Sequence, residues 1–399
     1  MFSSGSKRLT GRDDIRKILV IRWSAMGDVA LASAGFEELH RAFPSAVLHL
    51  NTLPPWDGLF RSDPRFSHVW AIPLRDRSAQ WRRMFQWLRS IRRERYDLIV
   101  DFQCSDRARL LLSLLWLSGG GARFRVGNAP GFPYNIAPTR IPEPVHALTR
   151  IQRLLEAMGI SPSVDKPVLH PSADDRDAAA RKLDALNLRP GRYAVLLPGS
   201  QVVGYLKRWG AERFARLADQ LVAGPLWGDD LADGGSRGTS TREASEPLDA
   251  LLVLGGADEV DECQRIADVA RVPVHNLCGQ TGLLELIPLC AGARFIVAND
   301  TGTAHVAAAT GRPMLVICGP TDPRMVVPAG PEVRWIQARL DCINCYRKHC
   351  EHHSCMRLLR PEEIANRLRW MSGAAVSDLD ALGDSDYQMG VSGRPSRRG

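Results

Sequence analysis

Short apolar runs alternate along the chain with stretches whose apolar residues recur three and four positions apart. In the first half the runs at 17–23 (KILVIRW), 46–52, 96–102 (YDLIVDF) and 124–127 read as strands. They are nearly continuous in apolar character, as expected of strands covered on both faces in a parallel sheet. Val29, Leu31, Ala32, Phe36, Leu39 and Phe43 predict a helix over 28–43, and an apolar helix follows 102. A boundary lies at 167–186, where Ser172 caps a polar, Ala-rich helix that Arg189-Pro-Gly191 ends. A second series then begins, with strands at 193–197, 251–254, 294–298 and, as the last, 314–318. Helices at 211–222, 257–269 and 303–310 separate them. The alternation predicts an α/β protein of two consecutive Rossmann-like domains, with the ligand in the crevice at the carboxyl ends of both sheets.

The expected organisation is a loose N-terminus at 1–16, an N-terminal domain at 17–170, a linker helix at 171–190 and a C-terminal domain at 191–345. Residues 346–372 hold a cysteine cluster and a C-terminal helix, and 373–399 read as a disordered tail. Within the second domain, 224–247 is rich in Gly, Ser, Thr and Asp with little periodicity, and is expected to be a flexible insertion without a functional role.

Composition narrows this picture only slightly. With 45% apolar and 24% charged residues, 399 residues can bury two sizeable cores. Fifty-two Lys and Arg against 44 Asp and Glu leave +8, a moderate basic excess that favours an anionic partner. Nine cysteines are too few for a disulfide scaffold. No secretory signal is visible, and the longest apolar stretch, 110–117, is far short of the roughly 20 residues that span a bilayer. A soluble, cytoplasmic protein is expected.

Chemistry-bearing residues cluster where strands give way to helices. Ser24-Ala-Met-Gly27-Asp28 follows the first strand, and Asp28 reads either as a helix cap or as a carboxylate that removes a proton from an acceptor hydroxyl. Asn299-Asp300-Thr301-Gly302-Thr303-Ala304-His305 opens a small-residue helix, whose free N–H groups and threonine hydroxyls suit a phosphate. Lys207 and Arg208 follow the Pro198-Gly-Ser200 loop and read as surface charge or as a phosphate counter-charge. Gly255-Gly256-Ala257-Asp258-Glu259 could seat a nucleoside, with Asp258 or Glu259 on ribose hydroxyls. Gly319-Pro-Thr-Asp-Pro323 is a rigid turn after the expected last strand.

Together KILVIRWSAMGD, YDLIVDFQ, LLPGS followed by KRWGAERFARLADQL, VLGGADE and VANDTGTAHVAAATGRPMLVICGPTDP resemble glycosyltransferase family nine, the ADP-heptose:lipopolysaccharide heptosyltransferases. They occur in family order over roughly 17–370. The resemblance implies a GT-B fold, an inverting and metal-independent transferase, an ADP-sugar donor on the C-terminal domain and a phosphorylated lipid-linked acceptor on the N-terminal one. Transferred by motif, Asp28 would be the general base and Lys207 would neutralise the donor pyrophosphate. Asp300 would contact the donor sugar, Thr301, Gly302, Thr303 and His305 would hold phosphate and sugar, and Asp258 would meet the nucleoside. Ser24 and Gly27 would lie on the acceptor side. The family's heptose and ADP are inherited by resemblance. No cofactor is required for catalysis in this reading. Asp378/Asp380 and Asp384/Asp386, two Asp-x-Asp pairs, fall in the tail and read as solvated charge.

Two features stand apart. In 81–95 (WRRMFQWLRSIRRER), Trp81, Met84, Phe85, Leu88 and Ile91 recur at helical spacing while arginines crowd the remaining surface. The segment reads as a core-packed helix with a solvated basic face, or as an element on the inner-membrane surface, with Arg82, Arg83 and Arg89 facing acceptor or membrane. Cys342-x2-Cys345-x4-Cys350-x4-Cys355 could ligate a structural zinc or remain free thiols, with disulfides disfavoured in a reducing cytosol. The competing functions are a nucleotide-sugar epimerase or a non-catalytic nucleotide-sugar binder on the same plan. A nucleic-acid partner is not expected, because the basic residues are dispersed and no binding module appears.

Overall fold

The computed structural model describes residues 9–73, 80–139, 145–200, 202–223, 247–373 and 386–392. The chain divides into two compact units, Met1–His170 and Pro171–Gly399.

The first unit runs β1 (Lys17–Ile21), α1 (Met26–Ala42), β2 (Val47–Thr52), β3 (His68–Ala71), α2 (Gln80–Glu94), β4 (Leu98–Asp101), α3 (Asp106–Leu117), β5 (Phe124–Val126) and α4 (Ala147–Ala157). Its sheet is parallel in the order β3-β2-β1-β4-β5. Ile18–Ile21 of the central strand are fully buried, which is why that run is unbroken in apolar character. Helix α1 begins two residues before the expected start, so Asp28 stands in its first turn rather than at the cap. There its carboxylate accepts the Ala25 N–H at 3.2 Å, the back-reaching half of a capping box. Gly35 lets α4 approach α1 closely, since a Cβ there would run into Ile151 and Phe102. Asn51 on β2 accepts the indole N–H of Trp23 at 2.8 Å and of Trp87 at 2.7 Å, fixing α2 against the sheet.

The second unit runs α5 (Ala173–Ala185), β6 (Tyr193–Leu197), α6 (Ala211–Ala223), β7 (Ala250–Val253), α7 (Val260–Val269), β8 (Val274–Asn276), α8 (Leu286–Ala291), β9 (Ile296–Asn299), α9 (Gly302–Ala307), β10 (Met314–Cys318), α10 (Pro323–Val326), β11 (Val333–Ala338), α11 (Ser354–Arg357), α12 (Pro361–Gly373) and β12 (Tyr387–Val391). The sheet order is β12-β11-β10-β9-β6-β7-β8, parallel except for β12. Trp209, Phe214 and Phe295 lie together in a core cluster of this unit. Ser172 and Asp175 form the capping box that starts α5. That helix lies within the second unit, where Lys182 pairs with Glu285 just before α8.

Two expectations are corrected. Strand β10 is not the last, because β11 and β12 extend the sheet beyond it. Part of the tail expected to be disordered is β12, held by Tyr387 in the core and by Gln388 donating to Gln337 at 2.7 Å. An antiparallel edge strand needs only alternate inward residues, so YQMGV lacks a long apolar run. The remainder of the tail (374–385 and 393–399), residues 1–8 and the insertion at 224–246 lie outside the described residues, and so do Asp378, Asp380 and Asp384.

Candidate functional site

In the first unit the turn after β1 carries Arg22 to Ala25. Gln103, just past β4, accepts the backbone N–H groups of Trp23 at 2.9 Å and Ser24 at 3.3 Å, tying the turn to the neighbouring strand. Arg22 donates to the Phe102 carbonyl and pairs with the Asp28 carboxylate at 3.0 Å. The Asp28 side chain is thus held from two sides yet stays 45% exposed. It opens onto a cavity of about 330 Å³ lined also by Arg22, Leu31, Phe102, Asn128 and Arg150. A carboxylate with two guanidinium groups on the same cavity suits a polyhydroxylated, anionic ligand. Ser24 is buried in the turn and Gly27 in the first turn of α1. Arg82, Arg83 and Arg89 sit on α2 and are not among the residues lining this cavity.

In the second unit three carboxyl-end segments converge. Asp300, directly after β9, is 6% exposed. Its Oδ2 accepts from Lys207 Nζ at 2.7 Å and from the Thr321 hydroxyl at 2.8 Å. Lys207 comes from the loop after β6 and Thr321 from the turn after β10, so the cluster spans three neighbouring strands. Its side chain is 30% exposed, leaving the ammonium able to meet an anion. Thr301 caps α9 in an extended conformation, Gly302 opens that helix, and Thr303 and His305 are buried along it. The Thr303 hydroxyl stands 3.4 Å from that of Thr301.

Arg208, the other cation of the pair, is committed elsewhere. It donates to the Ser200 carbonyl at 2.8 Å and pairs with Glu262, clasping the loop after β6. Asp258 is exposed. Glu259 is buried and accepts the Gly256 N–H at 2.8 Å. Burial raises its carboxyl above the usual range, partly offset by that hydrogen bond. It fills the space a side chain on Gly199 or Gly255 would need, so the two glycine loops close over it.

The turn at 319–323 depends on residues that carried no sequence signal. Gln337 on β11 donates to the carbonyls of Gly319 and Thr321, both at 2.9 Å. Tyr346 donates its N–H to Pro320 at 2.9 Å and accepts the Asp322 N–H at 3.2 Å. Tyr346 belongs to the cysteine segment, which therefore buttresses the loop carrying Thr321. Cys342, Cys345, Cys350 and Cys355 line one small pocket with His352 and His353. Burial pushes the Cys355 thiol up to about 11, and the other three thiols add to the effect. Among the described residues, no three His, Cys, Asp or Glu side chains stand together at a spacing that would hold a metal ion. The four thiols are free, whereas Cys263 and Cys278 form a disulfide beside the Gly255 loop.

Glycosyltransferase family 9 (heptosyltransferase) matches residues 248–355 of the chain. Lipopolysaccharide heptosyltransferase 1 of Pseudomonas aeruginosa is 26% identical over 89% of this chain and 98% of that protein. A family 9 glycosyl transferase from Veillonella parvula superposes with a TM-score of 0.73 at 18% identity, over 91% of this chain and 99% of that one. An Escherichia coli heptosyltransferase solved with ADP-2-deoxy-2-fluoro heptose gives 0.61 at 19% identity, over 88% and 98%. These structural likenesses show the fold, the two-unit α/β architecture of the GT-B class. No described helix is long and apolar enough to cross a membrane.

Proposed function

We propose that the chain is a member of glycosyltransferase family 9, and that it transfers a heptose, or a closely related sugar, from an ADP-activated donor to a lipopolysaccharide core acceptor. The convergence of Lys207, Asp300 and Thr321 at the carboxyl end of the second sheet carries this reading. It puts a lysine able to turn toward solvent beside the Thr301–Gly302–Thr303 backbone, a suitable seat for a nucleoside diphosphate. Relatives named as heptosyltransferases, and a neighbour solved with an ADP-heptose analogue, support the donor class.

The reaction would be one direct displacement. An acceptor hydroxyl oxygen attacks the anomeric carbon as its proton passes to the Asp28 carboxylate. The bond from that carbon to the β-phosphate oxygen breaks, ADP leaves with the electron pair, and the anomeric configuration inverts. Lys207 and the amides at the start of α9 stabilise charge growing on the β-phosphate, so the protein's own groups supply the electrostatics. Asp300 orients Lys207 and presents its other oxygen to sugar hydroxyls, while Asp258 is available to the nucleoside. Arg22 and the Ala25 N–H hold Asp28 in place, and Arg150 offers a second guanidinium to acceptor phosphates. The acceptor is lipid-linked, so the protein works at the inner face of the cytoplasmic membrane by peripheral contact.

A donor screen by thermal shift tests the reading, with nucleotide and sugar varied separately. ADP-heptose and ADP should raise Tm, by the equivalent of about 2.7 kcal/mol at a hundredfold excess over Kd. UDP- and GDP-sugars should shift it far less. Stabilisation by a uridine or guanosine donor, with none from ADP, would refute the donor assignment.

A further inference from the structure

We propose that the outward face of α2, together with the end of α3, docks the protein on an anionic phospholipid bilayer. The proposal deepens the reading of the acceptor as lipid-linked, and its evidence is the surface itself. Trp87 and Ile91 form the buried side of α2, and Met84 and Leu88 pack partly against the same core. The adjoining side carries Trp81 and Phe85, 73% and 70% exposed, in line with Arg89 and Arg92 at successive helical turns. By sequence, Trp81 and Phe85 belong to an apolar stripe that reads either as core-packed or as a membrane-surface element. The Trp87 indole, donating to Asn51, turns inward, and the Trp81 and Phe85 rings stand in solvent.

Arg82, Arg89, Arg92, Arg93 and Arg95 are all exposed, and among the described residues none makes a hydrogen bond or ion pair. The carboxylate within this run, Glu94, is taken by Lys17. Arg83 differs, being half-buried and partnered. Arg89, Arg92, Arg93 and Arg95 border a groove of about 900 Å³ floored by the Ser118–Gly121 turn, where Arg92 lies against Gly120 closely enough to exclude a side chain there. Helix α3 adds Leu110 and Leu117, 54% and 69% exposed. Guanidinium forks suit lipid phosphates, exposed tryptophan and phenylalanine suit the headgroup boundary, and the leucines suit acyl chains. Nucleic acid would use the arginines and rings but has no use for two exposed leucines, so the bilayer is the better occupant.

Sedimentation of the full chain with vesicles tests this. Wild type should pellet with phosphatidylcholine–phosphatidylglycerol vesicles and remain in solution with phosphatidylcholine alone. Raising salt from about 0.1 M to about 1 M, which shortens the screening length from about 10 Å to about 3 Å, should release it. Arg89→Glu/Arg92→Glu/Arg93→Glu should lower partitioning by at least roughly a hundredfold, about fivefold for each arginine lost, with repulsion of the three new carboxylates adding to it. Trp81→Ser/Phe85→Ser should lower it by roughly tenfold while keeping the salt dependence. Both variants should keep the ADP-induced rise in Tm, which certifies the fold and reads the transferase site separately. Equal binding to both vesicle types, no vesicle binding, or wild-type partitioning by the charge-reversal variant would overturn the proposal. Retention by single-stranded DNA but by no vesicle would give the arginines to nucleic acid instead. Loss of the ADP effect everywhere, with vesicle binding as described, would refute the donor assignment and leave the docking surface standing.

Discussion

Replacing Asp28 by Asn separates a helix cap from a general base. The wild-type carboxylate accepts the Ala25 N–H at 3.2 Å and pairs with Arg22 at 3.0 Å. Asn keeps a carbonyl oxygen of similar size for the backbone donor, so the turn should survive. It loses the ion pair with Arg22, but that pair is 45% exposed on the aspartate side and is screened by solvent, so it contributes about 0.5–1 kcal/mol. The total stability cost should stay below about 1.5 kcal/mol, read as a small drop in the urea midpoint with an unchanged slope. The chemical consequence should be far larger, since removing a positioned base costs roughly a hundredfold to ten-thousandfold in kcat. Kd for ADP should hold, because the residues assigned to the donor belong to the other unit. The assay is ADP release coupled to a reporter, run beside calorimetric titration with ADP. A folded variant that binds ADP normally and turns over at near the wild-type rate would refute the general-base assignment. Loss of ADP affinity would instead move Asp28 into the donor site.

Lys207→Met should weaken ADP binding by about ten- to a hundredfold and lower Tm, because it also leaves the buried Asp300 carboxylate with only Thr321. Unchanged ADP affinity would remove Lys207 from the phosphate seat. His49, buried and near Lys17, has its pKa pushed down to about 4, so the fold holds it neutral where the unfolded chain takes up a proton. Stability should therefore fall as pH drops from about 6.5 towards 4, by about 2 kcal/mol from this group, and His49→Gln should flatten that part of the profile. Identical wild-type and variant profiles would refute it. Exposed Cys342 and Cys345 should react quickly with maleimide in the native protein, while buried Cys290, Cys318 and Cys355 should not. Protection of the whole 342–355 cluster, lifted by a chelator, would instead reveal a thiolate metal site.

The central strands were legible because burial on both faces forces an unbroken apolar run, as in KILVI and YAVLL. Of the parallel edge strands, β5 was legible but β3 and β8 were not. HVWA and VHN are short and half-polar, while β11 hides its register behind buried Arg334 and Gln337. Asp28, Lys207, Asp300 and Thr321 each stood out beside a turn signal, but their partnerships did not. Lys207 and Asp300 are 93 positions apart, and only the parallel order β10-β9-β6 brings their loops together. Helical spacing alone could not choose between Trp87 and the Trp81–Phe85 pair for the core, since each fits a stripe. A side chain on another element, Asn51, made that choice.

Product analysis tests the central claim most directly. The purified full chain is incubated with ADP-heptose and a heptose-deficient lipopolysaccharide core acceptor, and the products are read by mass spectrometry and NMR. The account predicts an acceptor heavier by one heptose, one ADP released per transfer, and an anomeric configuration opposite to the donor's. A retained configuration, an altered donor sugar formed without acceptor, or ADP release independent of acceptor with no glycosylated product would contradict it.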